Sequence, residues 1–279
     1  MLSYLHAFHA GNFADVQKHA ALTLALTMMQ VKKTPIACFD THAGSAVYDL
    51  AGERARKTAE ADGGIQKLWQ SRRQLTSADW QPMLDVLAGY GSEAQGLRGY
   101  PGSPAWLANF VRDGDSVTAF ELHPSENQQL DLWARKNGVR VLHQDGLQGL
   151  LQKLPPPQPR LLALIDPSYE IKTDYEAVAS TLIRAWEKCR HGVYLVWYPI
   201  LTSGLERRLL KTLKAGPVRK VLRSEVMLDQ APERGMMGSG MLVVNPPWGF
   251  DQRLSAMMDE LRGEQRLGVS HTMDWLVSE

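Results

Sequence analysis

The sequence predicts an α/β fold, a seven-stranded and mostly parallel sheet with helices packed against it. Three observations predict it. Short aliphatic or β-branched runs alternate with longer amphipathic stretches along the 279 residues, as in strands joined by crossover helices. The run Leu161 to Ile165 has the unbroken apolar character of a strand buried on both faces. A composition that is 44% hydrophobic supplies a substantial core.

In chain order, a polar segment containing Tyr4, His6, His9, Asn12, Asp15, Lys18 and His19 leads into a helix over Asp15 to Gln30, and a first strand over Ile36 to Phe39. The next convincing strand is Ser116 to Leu122. In sheets that bind dinucleotides, an acid gripping a ribose lies about 20 residues after the first glycine loop. Here Asp40 and Glu121 are 81 residues apart, which predicts an insertion. Residues 46–99, with helical patterns around Gly64 to Arg72 and Ala78 to Leu87, are expected to form a small helical subdomain within a main domain of residues 1–45 and 100–279. Such a subdomain either walls one side of a cleft or adds core.

Beyond it, helices are expected at Gln128 to Lys136, Thr173 to Lys188 and Leu205 to Lys214. Strands are expected at Val139 to His143, Leu161 to Ile165, Val193 to Trp197, Val218 to Val226 and Gly240 to Val244. Only a Gly- and Met-containing loop joins the last two, so they should pair antiparallel at the end of the sheet.

Two distant cysteines, Cys38 and Cys189, argue against a disulfide framework or a zinc knuckle and suit a reducing cytoplasm. No run of about 18 apolar residues and no leader pattern occurs, so a cytoplasmic protein with no membrane partner is expected. The net charge of +1 does not advertise nucleic-acid binding, which depends on clustered cations. Clusters exist at Arg54, Arg56 and Lys57, at Arg72 and Arg73, and between Arg207 and Arg223; charge runs of this kind are ordinarily solvated surface.

Ligands of such sheets bind beyond the carboxyl ends of the strands. The first strand runs into Asp40-Thr41-His42-Ala43-Gly44-Ser45, where a glycine permits a tight turn, although the G-x-G-x-x-G fingerprint is absent. The second ends at Glu121, placed to accept two ribose hydroxyls, and the third at Gln144-Asp145-Gly146, placed to meet the edge of an adenine ring. The fourth empties into Asp166-Pro167-Ser168-Tyr169.

That tetrapeptide carries the most chemistry. An exocyclic amine is a poor nucleophile because its lone pair is delocalised into the ring. A carboxylate (Asp166) and a main-chain carbonyl (Pro167), each accepting one N–H, draw the nitrogen toward tetrahedral geometry, while Tyr169 stacks on the flat substrate. Displacement at a sulfonium methyl is then a matter of orientation and charge placement. This predicts a methyltransferase that uses S-adenosylmethionine. A second copy, Asn245-Pro246-Pro247-Trp248, follows the seventh strand; it is read as a chain-reversing turn with Trp248 as packing. His6 and His9 lack an acid or cysteine at ligand spacing, so no metal is expected.

Several segments together resemble the RlmJ family of bacterial large-subunit ribosomal RNA adenine-N6 methyltransferases. They are Met1-Leu2-Ser3-Tyr4, Phe8-His9-Ala10-Gly11-Asn12, Asp40-Thr41-His42-Ala43-Gly44, Tyr100-Pro101-Gly102-Ser103-Pro104, Glu121-Leu122-His123-Pro124, Asp166-Pro167, Lys172-Thr173-Asp174-Tyr175 and Trp197-Tyr198-Pro199. The resemblance spans essentially the whole chain. It implies a Rossmann-like class I methyltransferase domain, cofactor contacts by His19, His42, Ser103, Glu121, Asp145, Gly146 and Asp166, and Asp166 as the catalytic acceptor. Tyr4 would touch RNA, and His6, Lys18, Pro167 and Tyr169 complete the expected base and RNA contacts. The expected partner is 23S ribosomal RNA and the expected state a monomer.

Where the family has Asp-Pro-Pro-Tyr, this chain has Ser168. Rigidity is lost there, but the carbonyl belongs to Pro167, so activity is expected to be retained. The alternatives are a glutamine-side-chain protein methyltransferase, which uses the same amide-holding chemistry but prefers Asn at the position of Asp166, and a catalytically silent RNA-binding homologue.

Overall fold

A computed structural model of the chain describes residues 4–92, 96–230, 232–233 and 235–279. Eight strands form one sheet: β1 (Ile36–Asp40), β2 (Ser116–Phe120), β3 (Val139–Leu142), β4 (Arg160–Ile165), β5 (Val193–Leu201), β6 (Val221–Leu228), β7 (Met236–Val244) and β8 (Val269–Val277). Their spatial order is β3-β2-β1-β4-β5-β7-β6-β8. The first five are mutually parallel, and β7 runs antiparallel to both β5 and β6. The strand count is a correction: the sheet has eight strands, not seven. The extra one, β8, pairs antiparallel with β6 at the edge. Its sequence, Val-Ser-His-Thr-Met-Asp-Trp-Leu-Val, alternates inward Val269 and His271 with outward Ser270 and Thr272, so it offers no continuous apolar run.

Successive residues of the central strands feed two cores. Ile36 and Cys38 of β1 join the side covered by α1 (Phe13–Met29), while Ala37 and Phe39 join the side covered by helices Asp174–Lys188 and Glu206–Ala215. Helix α1 is capped by Asn12, whose side chain accepts the Asp15 N–H at 3.0 Å. It is buried from Ala14 to Leu26 because β7 and helix Phe250–Asp259 pack on it from one direction and the helices between β1 and β2 from another. This explains its Ala- and Leu-rich sequence around polar Gln17, Lys18 and His19.

Between β1 and β2 the chain forms short helices at Glu53–Thr58, Glu60–Gly63, Ile65–Ser71 and Gln81–Ala88. The segment is closed at its base by an antiparallel ribbon of Val47–Asp49 with Gly99–Pro101. Glu260 holds it to the main body by accepting from Thr76 N (3.0 Å), Thr76 Oγ1 (2.7 Å) and Ser77 N (2.7 Å), and Arg253 Nε reaches both carboxylate oxygens of Asp79.

Asn245 donates through Nδ2 to the carbonyls of Arg190 and Gly192, each at 2.8 Å, at the end of the sheet where the parallel strands begin. It therefore tethers two loops, as expected of a structural residue. Trp248 departs from expectation, since it is 98% exposed and packs against nothing that buries it. No helix among the described residues is long and apolar enough to cross a membrane.

Candidate active site

Strand register builds the site. Asp40 lies opposite Ala119 on β2 and Leu164 on β4, so His42, Glu121 and Asp166 each sit two residues beyond that level on the carboxyl rim. Val141 of β3 pairs with Ala119, which brings Asp145 to the same rim. The order reverses direction at β1, between β2 and β4, and this is where parallel sheets open a crevice. A cavity of about 1000 Å³ occupies it. All the expected site residues line it: Tyr4, His6, Lys18, His19, His42, Ser103, Glu121, Asp145, Gly146, Asp166, Pro167 and Tyr169. Met1 to Ser3 lie outside the described residues.

Asp166 does not stand alone. Lys18 Nζ, on α1, lies 2.5 Å from Asp166 Oδ2 and 2.8 Å from Asp15 Oδ1, with about 5% of its side chain exposed. Burial opposes the lysine charge, but the two carboxylates outweigh it and raise its pKa, so Lys18 stays protonated. Asp15 also accepts from His6 Nε2 (2.9 Å) and Gly11 N (2.8 Å), and His6 Nδ1 meets the Tyr4 hydroxyl at 2.8 Å. Burial works to raise the Asp15 carboxyl, yet His6 and Lys18 hold it well below the usual range. For Asp166 burial prevails over Lys18, and its carboxyl sits above the ordinary value. A hydrogen-bonded chain thus runs Tyr4–His6–Asp15–Lys18–Asp166 from the cleft mouth to its floor.

Asp40 lies fully buried beneath the rim, and its Oδ2 has no hydrogen-bond partner. Burial pushes its carboxyl up to about 7, although the nearby Ser103 hydroxyl and the His42 N–H pull the other way. Burial likewise lowers His42 to about 4 and drives His19 well below its ordinary value, so both rings are neutral at pH 7. His19 Nδ1 meets the Tyr100 hydroxyl at 2.5 Å and its Nε2 is buried without a partner.

Glu121 accepts the Gly44 N–H on Oε2 (2.8 Å) and the His123 N–H on Oε1 (2.6 Å), which fixes its carboxylate and leaves one lone pair free on each oxygen. Asp145 caps helix Gly146–Lys153 by accepting the Gln148 N–H at 2.8 Å. A Cβ at position 146 would overlap the Thr41 carbonyl oxygen, so only glycine lets the loops after β1 and β3 meet. Ser103, which the residues alone present as part of an ordinary loop, is the first residue of helix Ser103–Phe110, with Pro104 next to it. That helix starts at the cleft.

Tyr169 has a left-handed backbone (φ 54°), held by its hydroxyl donating to the Trp197 carbonyl at 2.7 Å and by packing on Tyr175 with ring centres 4.5 Å apart. The ring lines the cleft but is only 6% exposed. Trp197, half-buried, offers a second aromatic surface, with Lys18 Nζ 5.8 Å from its ring centre and its Nε1 anchored to Ser239 Oγ at 2.9 Å. The sequence names Asp15, Asp40 and Trp197 within its polar N-terminal segment, its first strand-end loop and a family segment, but assigns none of them a role in the site. The visible signals were an aromatic within the apolar run of β5 and acids beside residues already chosen.

A family model described as Ribosomal RNA large subunit methyltransferase D, RlmJ, matches residues 33–277. Two relatives named Ribosomal RNA large subunit methyltransferase J align over 100% of this chain and of their own length: one from Escherichia coli (strain K12) at 39% identity, and one from Haemophilus influenzae (strain ATCC 51907 / DSM 11121 / KW20 / Rd) at 36%. The crystal structure of a Legionella pneumophila protein superposes with a TM-score of 0.88 at 33% identity, covering 96% of this chain and 98% of that one. With its sheet order, its rim of acids and full-length relatives on both counts, this chain belongs to the RlmJ family of ribosomal RNA large subunit methyltransferases.

Proposed function

We propose that the chain methylates the exocyclic N6 amine of an adenine in large-subunit (23S) ribosomal RNA, with S-adenosylmethionine as donor. The observation that carries this reading is Asp166, followed by Pro167, on the cleft wall, level with Glu121 and bonded to Lys18. The cleft fits the cofactor. Its described lining holds eight carboxylates against two lysines, a surface suited to a sulfonium and an ammonium. His19 Nε2 is buried and unpartnered on its wall, Asp40 Oδ2 is buried and unpartnered beneath its rim, and Ser103, the first residue of helix Ser103–Phe110, lines the same space.

On this reading His19, His42, Ser103, Glu121, Asp145, Gly146 and Asp166 contact the cofactor. Glu121 uses its two remaining lone pairs for the ribose hydroxyls, and Asp145 lies toward the adenine edge. Bound S-adenosylmethionine supplies an electrophilic methyl group. The protein's part is to hold the acceptor. Asp166 Oδ1 and the Pro167 carbonyl take one N–H each, while Lys18 pins Oδ2 and so fixes the orientation of the carboxylate. A carboxyl raised by burial is also a better base for the proton that the amine must lose after methylation. Tyr169 and Trp197 support the base face, and Tyr4 and His6 close over it from the N-terminal side. We further propose that residues 46–99 act as an inserted subdomain walling this cleft, in a protein that works as a monomer in the cytoplasm.

The test is methyl transfer to unmodified large-subunit ribosomal RNA followed by nucleoside analysis. N6-methyladenosine is expected, and ribonuclease pretreatment of the substrate should abolish incorporation. Incorporation that survives ribonuclease would favour a protein glutamine as substrate instead.

A further inference from the structure

An acid-lined cleft cannot hold an RNA backbone. Eight carboxylates face it, so the phosphates on either side of a flipped nucleotide need cations placed outside it. Among the described residues, two helices with exposed cations lie on opposite faces of the sheet. One is helix Glu206–Ala215, with Lys211 and Lys214 exposed on its outer face, on the side of the sheet shared with helix Asp174–Lys188. The other is the short helix Glu53–Thr58, whose Arg54, Arg56 and Lys57 are all exposed.

Geometry separates them. Arg54 and Lys57 are three residues apart and share one helix face. Lys57 Nζ sits 5.8 Å from the centre of the Phe8 ring, and the Thr58 hydroxyl donates to the Phe8 carbonyl, so this face stands directly against the N-terminal turn His6–Phe8. The next residue, His9, stacks its ring on Tyr4 with centres 5.6 Å apart and planes 7° from parallel, and both line the cleft. His9 Nδ1 meets Glu60 Oε1 at 2.8 Å, just past the basic helix. The path from cleft floor to basic helix is therefore continuous: Asp166, Lys18, Asp15, His6, Tyr4, His9, Phe8, Lys57. Lys67, also on the cleft wall, extends the same lip. Arg56 is turned to Asp62, at 3.1 and 3.2 Å, which leaves Arg54 and Lys57 as the cations open to a ligand.

We propose that the RNA strand flanking the target nucleotide leaves the cleft over helix Glu53–Thr58, and that Arg54 and Lys57 hold its phosphates. This rests on the ribosomal RNA reading above and assigns the segment between β1 and β2 an RNA-docking role. Because these side chains touch neither the reacting base nor the cofactor, they govern RNA affinity and not the methyl-transfer step.

The experiment compares the full-length wild type, Arg54→Ala/Lys57→Ala and Lys211→Ala/Lys214→Ala on an unmodified large-subunit ribosomal RNA fragment. It measures binding between 50 and 200 mM salt and steady-state methylation. Loss of two phosphate contacts should make the slope of log K against log[salt] shallower by about 1.5 and raise KM for RNA roughly tenfold in the first pair. Its kcat at saturating RNA and its cofactor affinity should stay at wild-type values, and the second pair should leave the slope unchanged. An unchanged slope and KM in the first pair, or a slope that falls only in the second, overturns the docking surface alone. A wild type that methylates no RNA overturns the ribosomal RNA reading with it.

Discussion

At the scale of single residues, the site is a set of buried charges that balance one another. Asp166 is raised by burial and restrained by Lys18, which gives the pH profile a defined shape. Only the ionised carboxylate accepts the amine N–H, so kcat/KM should fall on the acid side, with a limb above the ordinary aspartate range. Lys18→Met removes the restraining cation, and the limb should move to higher pH; a limb that stays in place would show that Lys18 does not hold the carboxylate. Asp40 offers a stability test. Its folded-state value of about 7 lies above its unfolded value, so the folded state keeps a proton that the unfolded chain has already lost. Its contribution is fully present below about pH 4 and disappears as pH rises through about 7, at up to about 1.4 kcal/mol per pH unit. In the cofactor-free protein, Asp40→Asn should flatten the decline of the urea midpoint between pH 5 and 7.5. Equal declines in both proteins would count against it.

At the scale of elements, what matters is how closely two loops approach. Gly146→Ala would drive a methyl group into the Thr41 carbonyl oxygen and push the loops after β1 and β3 apart. We expect a loss of about 2–4 kcal/mol in stability and at least tenfold weaker cofactor binding, read by chemical denaturation and calorimetry. Glu121→Gln should weaken cofactor binding by a similar factor with less loss of stability. An amide can satisfy only one of the two backbone N–H groups that the carboxylate accepts from Gly44 and His123.

The same scale shows what was legible in advance. The parallel strands could be read because Leu161–Ile165 and its neighbours β1 and β5 are unbroken apolar runs, and the rim followed because Ile36–Phe39 and Leu161–Ile165 run straight into Asp40 and Asp166. The antiparallel pairing of β6 with β7 was legible from the missing helix between them. β8 was not, because an edge strand with one polar face mixes His, Thr and Asp into its run. Helix Ser103–Phe110 was hidden by a Pro-Gly-Ser-Pro start that also describes a loop. Trp248 looked like packing because aromatics usually pack, and nothing local says that its turn projects into solvent. The Asp15–Lys18–Asp166 cluster joins residues 148 to 151 positions apart, a proximity that only the fold reveals.

At the scale of the whole molecule, the segment between β1 and β2 is held where it can shape the cleft. Glu260 accepts three hydrogen bonds from Thr76 and Ser77, and Arg253 clamps Asp79. Glu260→Ala should lower stability by about 1–2 kcal/mol and raise KM for RNA with little change in kcat. A variant with normal KM but reduced stability would mean that the segment adds core without positioning substrate.

The central claim is that Asp166 presents an adenine amine in ribosomal RNA for methylation. It is tested most directly by incubating wild type and Asp166→Ala with unmodified large-subunit ribosomal RNA and S-adenosylmethionine, then identifying the methylated nucleoside. The account predicts N6-methyladenosine from the wild type, and a yield at least about 100-fold lower from Asp166→Ala even when its cofactor site is saturated. A different methylated nucleoside, or undiminished product from the variant, would contradict it.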